Sequence, residues 1–297
     1  MALRAYLRGE VIEDFADGLL TRREALHRLV VLGLTVPAAG AALVACSSDD
    51  DAQPQTTEGG DSTASSSTTT ASVTAESITF AAPSGEATAA YASAAEPKGA
   101  VLVVHENRGL TPHFPDLVGR LAADGYAALA VDLLSPEGGT DSFADPAGVP
   151  GALGAAPLER LIGDLQAGIG ELQRRWPDLG IAAMGFCFGG GMVWNLLNVG
   201  EPRLAAAVPF YGPAPADADF SGARAAVLGI YAGNDTRVNE TRPTAEAALQ
   251  AAELTYEIKT FEGADHAFFN DTGARYNAPA ATEAYADVLA WFDRYLV

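Results

Sequence analysis

A series of short, strongly apolar runs, each followed by a stretch with helical spacing, narrows what this chain can become more than any other feature. Ala100–His105 (AVLVVH), Tyr126–Leu133 (YAALAVDL) and Gly180–Phe186 (GIAAMGF) lack the polar alternation of a strand with one wet face, so they read as strands buried on both sides. Leu204–Tyr211, Ala225–Tyr231 and Leu254–Phe261 continue the series, and residues 112–124, 157–175, 190–197, 240–252 and 280–295 read as the intervening helices. Strands alternating with helices imply right-handed crossovers and a mostly parallel sheet covered on both faces. Residues 77–93 precede the series and suit an antiparallel start. The pattern predicts one α/β domain over residues 77–297.

The preceding residues obey other rules. Residues 1–20 are mixed in charge with no membrane-length apolar run, and Arg22-Arg23 then leads into Leu29–Ala45, which carries no charge. That run contains Gly33, Pro37 and Gly40 and is short of the roughly 20 apolar residues a spanning helix wants. A cleavable export signal needs only a basic start, a shorter apolar stretch and small residues at the cut, so residues 1–45 are expected to be a signal peptide. Leu43-Val44-Ala45-Cys46 resembles a bacterial lipobox, which makes Cys46 the expected lipidation site and the membrane a partner through a lipid anchor. Arg22-Arg23 resembles a twin-arginine export signal. Residues 46–76 are rich in Ser, Thr and Asp and hold one Val but no Leu, Ile or aromatic residue from Ser47 to Glu76; such a segment cannot offset its chain entropy and is expected to be a flexible tether. The chain is thus expected to be exported, extracytoplasmic and anchored to the cell membrane.

Charge and motif absence exclude several functions. The net charge is −20, while residues 1–45 carry five basic and five acidic side chains, so the excess belongs to residues 46–297. A surface this acidic repels phosphate backbones, which argues against nucleic acid as a partner. No histidine pair has metal-ligand spacing, and Gly189-Gly190-Gly191 lacks the Lys-Ser/Thr of a phosphate loop, so neither metal nor cofactor is expected. His105 and His113 read as structural residues.

The strongest local motif is Gly185-Phe186-Cys187-Phe188-Gly189-Gly190, between a predicted strand and a predicted helix. It has the G-x-S-x-G form of a nucleophile elbow with cysteine at the serine position. Glycines permit a turn too tight for side chains, and the helix N-terminus behind it favours a thiolate and a developing oxyanion. Asp235 in Tyr231-Ala232-Gly233-Asn234-Asp235 and His266 in Gly263-Ala264-Asp265-His266 each follow a predicted strand. The order nucleophile, acid, histidine is that of α/β-hydrolases, and carboxyl ends of strands line the ligand crevice.

On these residues the span 77–297 resembles the dienelactone hydrolase family of α/β-hydrolases. The resemblance matches Cys187 in GFCFGG to the family's nucleophile, Asp235 in GNDTRV to its acid, His266 in GADHAF to its base, and Glu106 in HENRG to its strand-end glutamate. It implies that Glu106 meets the resting thiol, and that the backbone N–H groups of Asn107 and Phe188 form the oxyanion hole. It also implies a small-molecule ester or lactone substrate cleaved through a thioester. The arginine that the family places four residues beyond the histidine is Asn270 here, which leaves Arg108 and Arg237 as candidates to hold a substrate carboxylate. Two other readings stand beside this one: a surface lipoprotein binding a ligand or envelope partner on a retired hydrolase fold, and an esterase acting on larger envelope or polymer esters. The Gly- and Pro-rich segment 135–156 suits a lid or a plain surface loop equally.

Overall fold

The computed structural model describes residues 3–44 and 73–297; Cys46 and most of the segment expected to be a tether lie outside the described residues. The chain begins with three helices, α1 (Leu3–Ala16), α2 (Arg22–Val31) and α3 (Val36–Val44). Then come β1 (Glu76–Ala82), β2 (Gly85–Ser93), β3 (Ala100–Val104), α4 (His113–Ala123) and β4 (Ala127–Val131). Three short 3-10 turns lead into α5 (Val149–Ala155), followed by α6 (Leu158–Arg175), β5 (Ile181–Phe186) and α7 (Phe188–Asn198). The remainder is β6 (Leu204–Phe210), β7 (Ala226–Ala232), α8 (Thr236–Asn239), α9 (Arg242–Ala251), β8 (Tyr256–Phe261) and α10 (Ala278–Tyr295).

The eight strands form one sheet in the order β1-β2-β4-β3-β5-β6-β7-β8. The β1/β2 and β2/β4 pairings are antiparallel and the others parallel, as expected from the run at 77–93 followed by alternating elements. Every residue of β3, β4, β5 and β7 is buried. Successive strand side chains point to opposite faces, so continuous burial requires helices on both. This is the α/β-hydrolase fold, with its sheet boundaries within two residues of the apolar runs that encode them.

Strand order positions the site. From β3 the chain moves one way to β4 and then returns to the other side of β3 for β5, so β3 and β5 flank the point where the direction of winding reverses. Their register pairs Val104 with Gly185, which sets the residues after both strands side by side at the carboxyl edge. Loops leaving such a reversal diverge and leave a crevice between them.

α7 begins at Phe188, two residues before the helical spacing of the sequence suggests, because the glycines there are helical. A Cβ on Gly189 would run into the carbonyl oxygens of Val104 and His105, and one on Gly185 into that of Gly189. Only glycine lets α7 close so tightly on β3 and β5.

The N-terminal helices pack on this domain. α1 and α2 touch α5, and Leu7, Ala25, Leu29 and Ala39 are fully buried. Thr21 and Glu24 form a capping box at the start of α2, with Glu24 N donating to Thr21 Oγ1 at 3.3 Å and Thr21 N donating to Glu24 Oε2 at 2.8 Å. No helix among the described residues is long and apolar enough to cross a membrane. The segment 135–156 is folded and buttresses α1: Arg4 Nε donates to the Gly154 carbonyl at 2.8 Å, and Leu7 lies against Gly154.

Gly189→Ala is expected to destabilise the domain by about 3 kcal/mol or more, because backbone rather than a flexible side chain must yield. For a domain of this size that is a fall in Tm of about 6–12 °C, read by thermal unfolding beside the wild-type chain.

Candidate active site

Cys187 sits between β5 and α7 with φ 56° and ψ −117°, a left-handed conformation costly for a residue with a Cβ. Its neighbours hold it there: Cys187 N donates to the Phe210 carbonyl at 3.1 Å, and Gly191 N donates to the Cys187 carbonyl at 3.1 Å. The turn lifts the thiol off the sheet edge at the start of α7. Among the described residues, no acceptor takes the amide N–H of Asn107 or of Phe188, the two donors expected of an oxyanion hole.

Asp235 follows β7 and His266 follows β8, and the two meet. Asp235 is wholly buried; its Oδ2 accepts from His266 Nδ1 at 2.5 Å and its Oδ1 from Val238 N at 3.0 Å. Both carboxylate oxygens are therefore committed, which fixes the imidazole with Nε2 facing the thiol side. Ala267, at φ 63°, turns the chain sharply behind the histidine. The structure thus brings together the three residues that the sequence places beyond three different strands.

Two residues the sequence did not single out complete the cluster, and both come from α1. The thiol of Cys187 donates to Glu10 Oε2 at 3.4 Å, and the Tyr6 hydroxyl, left as donor, reaches Sγ at 3.2 Å. Glu10 Oε2 also lies 3.2 Å from His266 Nε2. Tyr6 and Glu10 are one helical turn apart, so one stripe of α1 faces the site. This arrangement corrects the expectation for Glu106. Its Oε2 accepts from Asn270 Nδ2 at 2.8 Å, while its Oε1 is buried without a partner, and the resting thiol bonds to Glu10 instead.

A cavity of about 280 Å³ opens beside Cys187 and His266, bordered by Glu106, Asn107, Arg108 and Asn270. Arg237 is not on its wall. It pairs with both Glu10 and Glu13, and its guanidinium lies 4.7 Å from the centre of the Tyr6 ring. The wall carries instead Arg275, which the sequence motifs do not point to; it binds Asp14 of α1 at 2.9 Å and Asp17, just past the end of α1, at 2.6 Å. Its position nine residues after His266, on the loop leaving the catalytic strand edge, is the sequence signal that could have found it. Asn270 orients Glu106 and is itself held by Thr272, whose N and Oγ1 donate to Asn270 Oδ1.

The other histidines have structural surroundings. His105 Nδ1 donates to the Glu106 carbonyl at 2.7 Å and its Nε2 accepts from Leu133 N at 3.2 Å, which ties the segment after β3 to that after β4. Burial holds this imidazole neutral. His113 pairs with Asp271 through Nδ1 at 2.7 Å.

Proton positions are set by burial and neighbouring charge. Burial raises the Cys187 thiol, the Glu10 carboxylate raises it further, and it is pushed up to about 11. Burial would lower His266, but Glu10, Cys187 and Asp235 overcome that and raise it well above its ordinary value. Burial would likewise raise Glu10, yet the facing His266 and Arg237 hold it below the usual carboxylate range. Glu106, by contrast, is raised because burial outweighs its hydrogen bond from Asn270. With α1 in place the cluster is a neutral thiol between a carboxylate and an imidazolium.

The sequence profile of the dienelactone hydrolase family matches residues 86–296. The chain belongs to that family. A protein of Escherichia coli (strain K12) named "Putative carboxymethylenebutenolidase" is 32% identical over 212 residues, which cover 67% of this chain and 78% of that protein. The crystal structure of a "Putative Dienelactone Hydrolase" from Klebsiella pneumoniae superposes with a TM-score of 0.65 at 30% identity, covering 74% of this chain and 98% of that one. A dienelactone hydrolase-like promiscuous phosphotriesterase from metagenomic libraries, at 23% identity and a TM-score of 0.64, shares the fold. This dienelactone hydrolase family member is accordingly a hydrolase of the carboxylic ester and lactone class. The family match begins after α1–α3.

In a full-length Cys46→Ser chain, where Cys187 is the sole thiol, alkylation by iodoacetamide is expected to be slow at neutral pH and to climb through pH 9–11. Raising the thiol from its ordinary 9.0 to about 11 leaves about a hundredfold less thiolate at any pH below both values. A rate that levels off below pH 8 would contradict the buried neutral thiol.

Proposed function

We propose that this family member hydrolyses an activated small-molecule ester or lactone through Cys187, His266 and Asp235 and a thioester intermediate. The observation that carries the reading is the buried Asp235–His266 bond of 2.5 Å aimed, from the ends of β7 and β8, at a cysteine held in a strained turn. That geometry makes a base of fixed orientation beside a nucleophile whose thiolate is stabilised at a helix N-terminus.

In the first half-reaction His266 takes the Cys187 proton, and Sγ bonds to the acyl carbon. The carbonyl π-pair moves to oxygen, which would accept from the N–H groups of Asn107 and Phe188. Collapse re-forms the carbonyl and breaks the C–O bond; the leaving enolate takes the proton from His266, which is neutral again for the second half. In the second half His266 draws a proton from water, the hydroxide adds to the thioester, and the C–S bond breaks to return the thiolate. A thiolate leaves more readily than an alkoxide, so an alkyl ester would mostly revert to substrate. An enol ester or lactone releases a stabilised enolate, and forward collapse competes. The activated substrate class follows from the cysteine.

Arg275 and Arg108 line the cavity, and with Glu10 and Asp14 of α1 withdrawn they would suit a substrate carboxylate. The buried, partnerless Glu106 Oε1 stands ready to accept from the substrate or the thiol once α1 no longer supplies Glu10. A carboxylate-binding arginine favours a small anionic lactone over the larger envelope or polymer esters.

Residues 1–45 are proposed to serve as an export leader with lipidation at Cys46, placing the hydrolase outside the cell on a lipid anchor. The exposed Arg22-Arg23 pair and the uncharged run ending in Leu43-Val44-Ala45-Cys46 support this. Intact mass of the chain recovered from cells is expected to show an N-terminal diacylglyceryl cysteine at position 46, and a chain retaining residues 1–45 would overturn it.

The catalytic reading is tested on the domain 75–297 with an enol lactone and a p-nitrophenyl ester. Cys187→Ala and His266→Ala are each expected to lower kcat/KM by about a thousandfold or more. Acid-quenched mass spectrometry should find the acyl group on Cys187. A Cys187→Ser domain that keeps full activity sinks the thioester mechanism.

A further inference from the structure

α1 runs through the cleft that a substrate would need. On one side of it lies the cavity with Arg275 and Glu106; on the other is a second cavity of about 270 Å³, mostly apolar, between Phe188, Met192, Pro213 and Ala214. Tyr6 lines the second and Glu10 the first, and both side chains touch the thiol between them. The two cavities are parts of one crevice divided by a helix.

The contacts of α1 are those of an occupant. Along its buried face Tyr6, Glu10 and Asp14 recur at intervals of four, with Leu7 and Val11 beside them. Acidic side chains are rarely buried without partners, and here each finds one in the hydrolase domain. Glu10 and Glu13 bind Arg237, and Asp14 and Asp17 bind Arg275. Glu10 also fills the space between Cys187 Sγ and His266 Nε2, where an acyl carbon must enter.

We infer that α1 is an intramolecular inhibitor of the hydrolase: it occupies the substrate cleft with Tyr6 and Glu10 and keeps the leader-bearing chain latent. The inference rests on the hydrolase reading for what is inhibited, but the occupancy of the cleft stands apart from it. The same contacts act twice. The acyl group cannot reach Sγ while Tyr6 and Glu10 are bonded to it, and His266 cannot remove the thiol proton while it is paired with Glu10. Removing residues 1–45, as the leader reading has it, would release the thiol, Arg275 and the joined crevice together, so that a chain exported folded becomes active only where its leader is cut.

The test uses the full chain with Cys46→Ser, alone and with Leu7→Asp and Val11→Asp. These two positions are 0% and 3% exposed on the docked face, and neither is part of the catalytic machinery. Charges there should expel α1 while the hydrolase domain stays folded, as circular dichroism will report. Iodoacetamide labelling of Cys187 and p-nitrophenyl ester hydrolysis are both expected to rise at least tenfold, toward the rates of the domain 75–297. If the leader-bearing chain already labels as fast as that domain, or a folded double variant labels no faster than its parent, the inhibitor is overturned. Faster labelling without turnover, in the variant and the domain alike, upholds the plug and removes the hydrolase reading instead. Should the double variant fail to fold, hydrogen exchange of the Cys46→Ser chain decides. Amides of α1 are expected to be protected before alkylation and exposed after it, because an alkylated Sγ cannot coexist with Tyr6 at 3.2 Å. Unchanged protection after complete alkylation overturns the proposal.

Discussion

The proton on Cys187 is decided by which charges share its dry pocket, and the rest of the site depends on that balance. Asp235 and Glu10 face His266 from its two nitrogens, and Arg237 backs Glu10. Burying this many charges is tolerable only because their signs alternate. With Glu10 present, the imidazole has two carboxylate neighbours and holds a proton, while the thiol, next to a carboxylate, keeps its own. Taking Glu10 away removes the largest charge acting on both, while burial still raises the thiol and Asp235 still raises and orients His266.

The fold delivers that pocket by backbone contact more than by side-chain choice. The reversal of winding at β3 and β5 opens the crevice, and the glycines of α7 let the helix descend until the thiol stands at its mouth. Asp235 and His266 come from the ends of β7 and β8, so the acid and base are carried by the same sheet as the nucleophile. The loop after β3 is pinned independently. Leu110 N donates to Thr140 Oγ1, which donates to Asp132 Oδ1, and His105 accepts from Leu133 N. Asn107 and Glu106 are thereby held against the thiol without being bonded to it.

Legibility in the sequence tracks burial. Apolar runs such as Ala100–His105 and Gly180–Phe186 can only be central strands, and the glycines around Cys187 have no better explanation than a tight turn. Asp235 and His266 are legible because the fold class dictates where an acid and a base must fall. The antiparallel β1–β2 start is likewise visible. What escapes is the face of α1, since Tyr6, Glu10 and Asp14 have no apolar stripe to announce a docked helix. A helix that buries carboxylates against arginines looks polar on paper. Thr21-Arg22-Arg23-Glu24 carries a second message as well: its arginines draw the eye, while its Thr and Glu are the two ends of a capping box. Arg275 is hidden by the expectation of an arginine at the position of Asn270.

The acidity of α1 is itself an argument about what it was shaped to meet. Its C-terminal half holds Glu10, Glu13 and Asp14, with Asp17 just past its end, while the domain beneath bears most of the net negative charge of the chain. Long-range electrostatics therefore oppose docking, and apolar burial by Leu7 and Val11 would serve as well with neutral neighbours. The carboxylates are stabilising only because Arg237 and Arg275 pair with them. The Arg275 guanidinium, on the cavity wall, is also what an anionic ester would seek. An inhibitor built from the same chain needs to match the cleft in charge as a substrate does, while presenting no bond that the thiol can attack. A carboxylate beside Sγ meets both conditions, because its carbon is a poor electrophile and its charge adds to burial in keeping the thiol protonated.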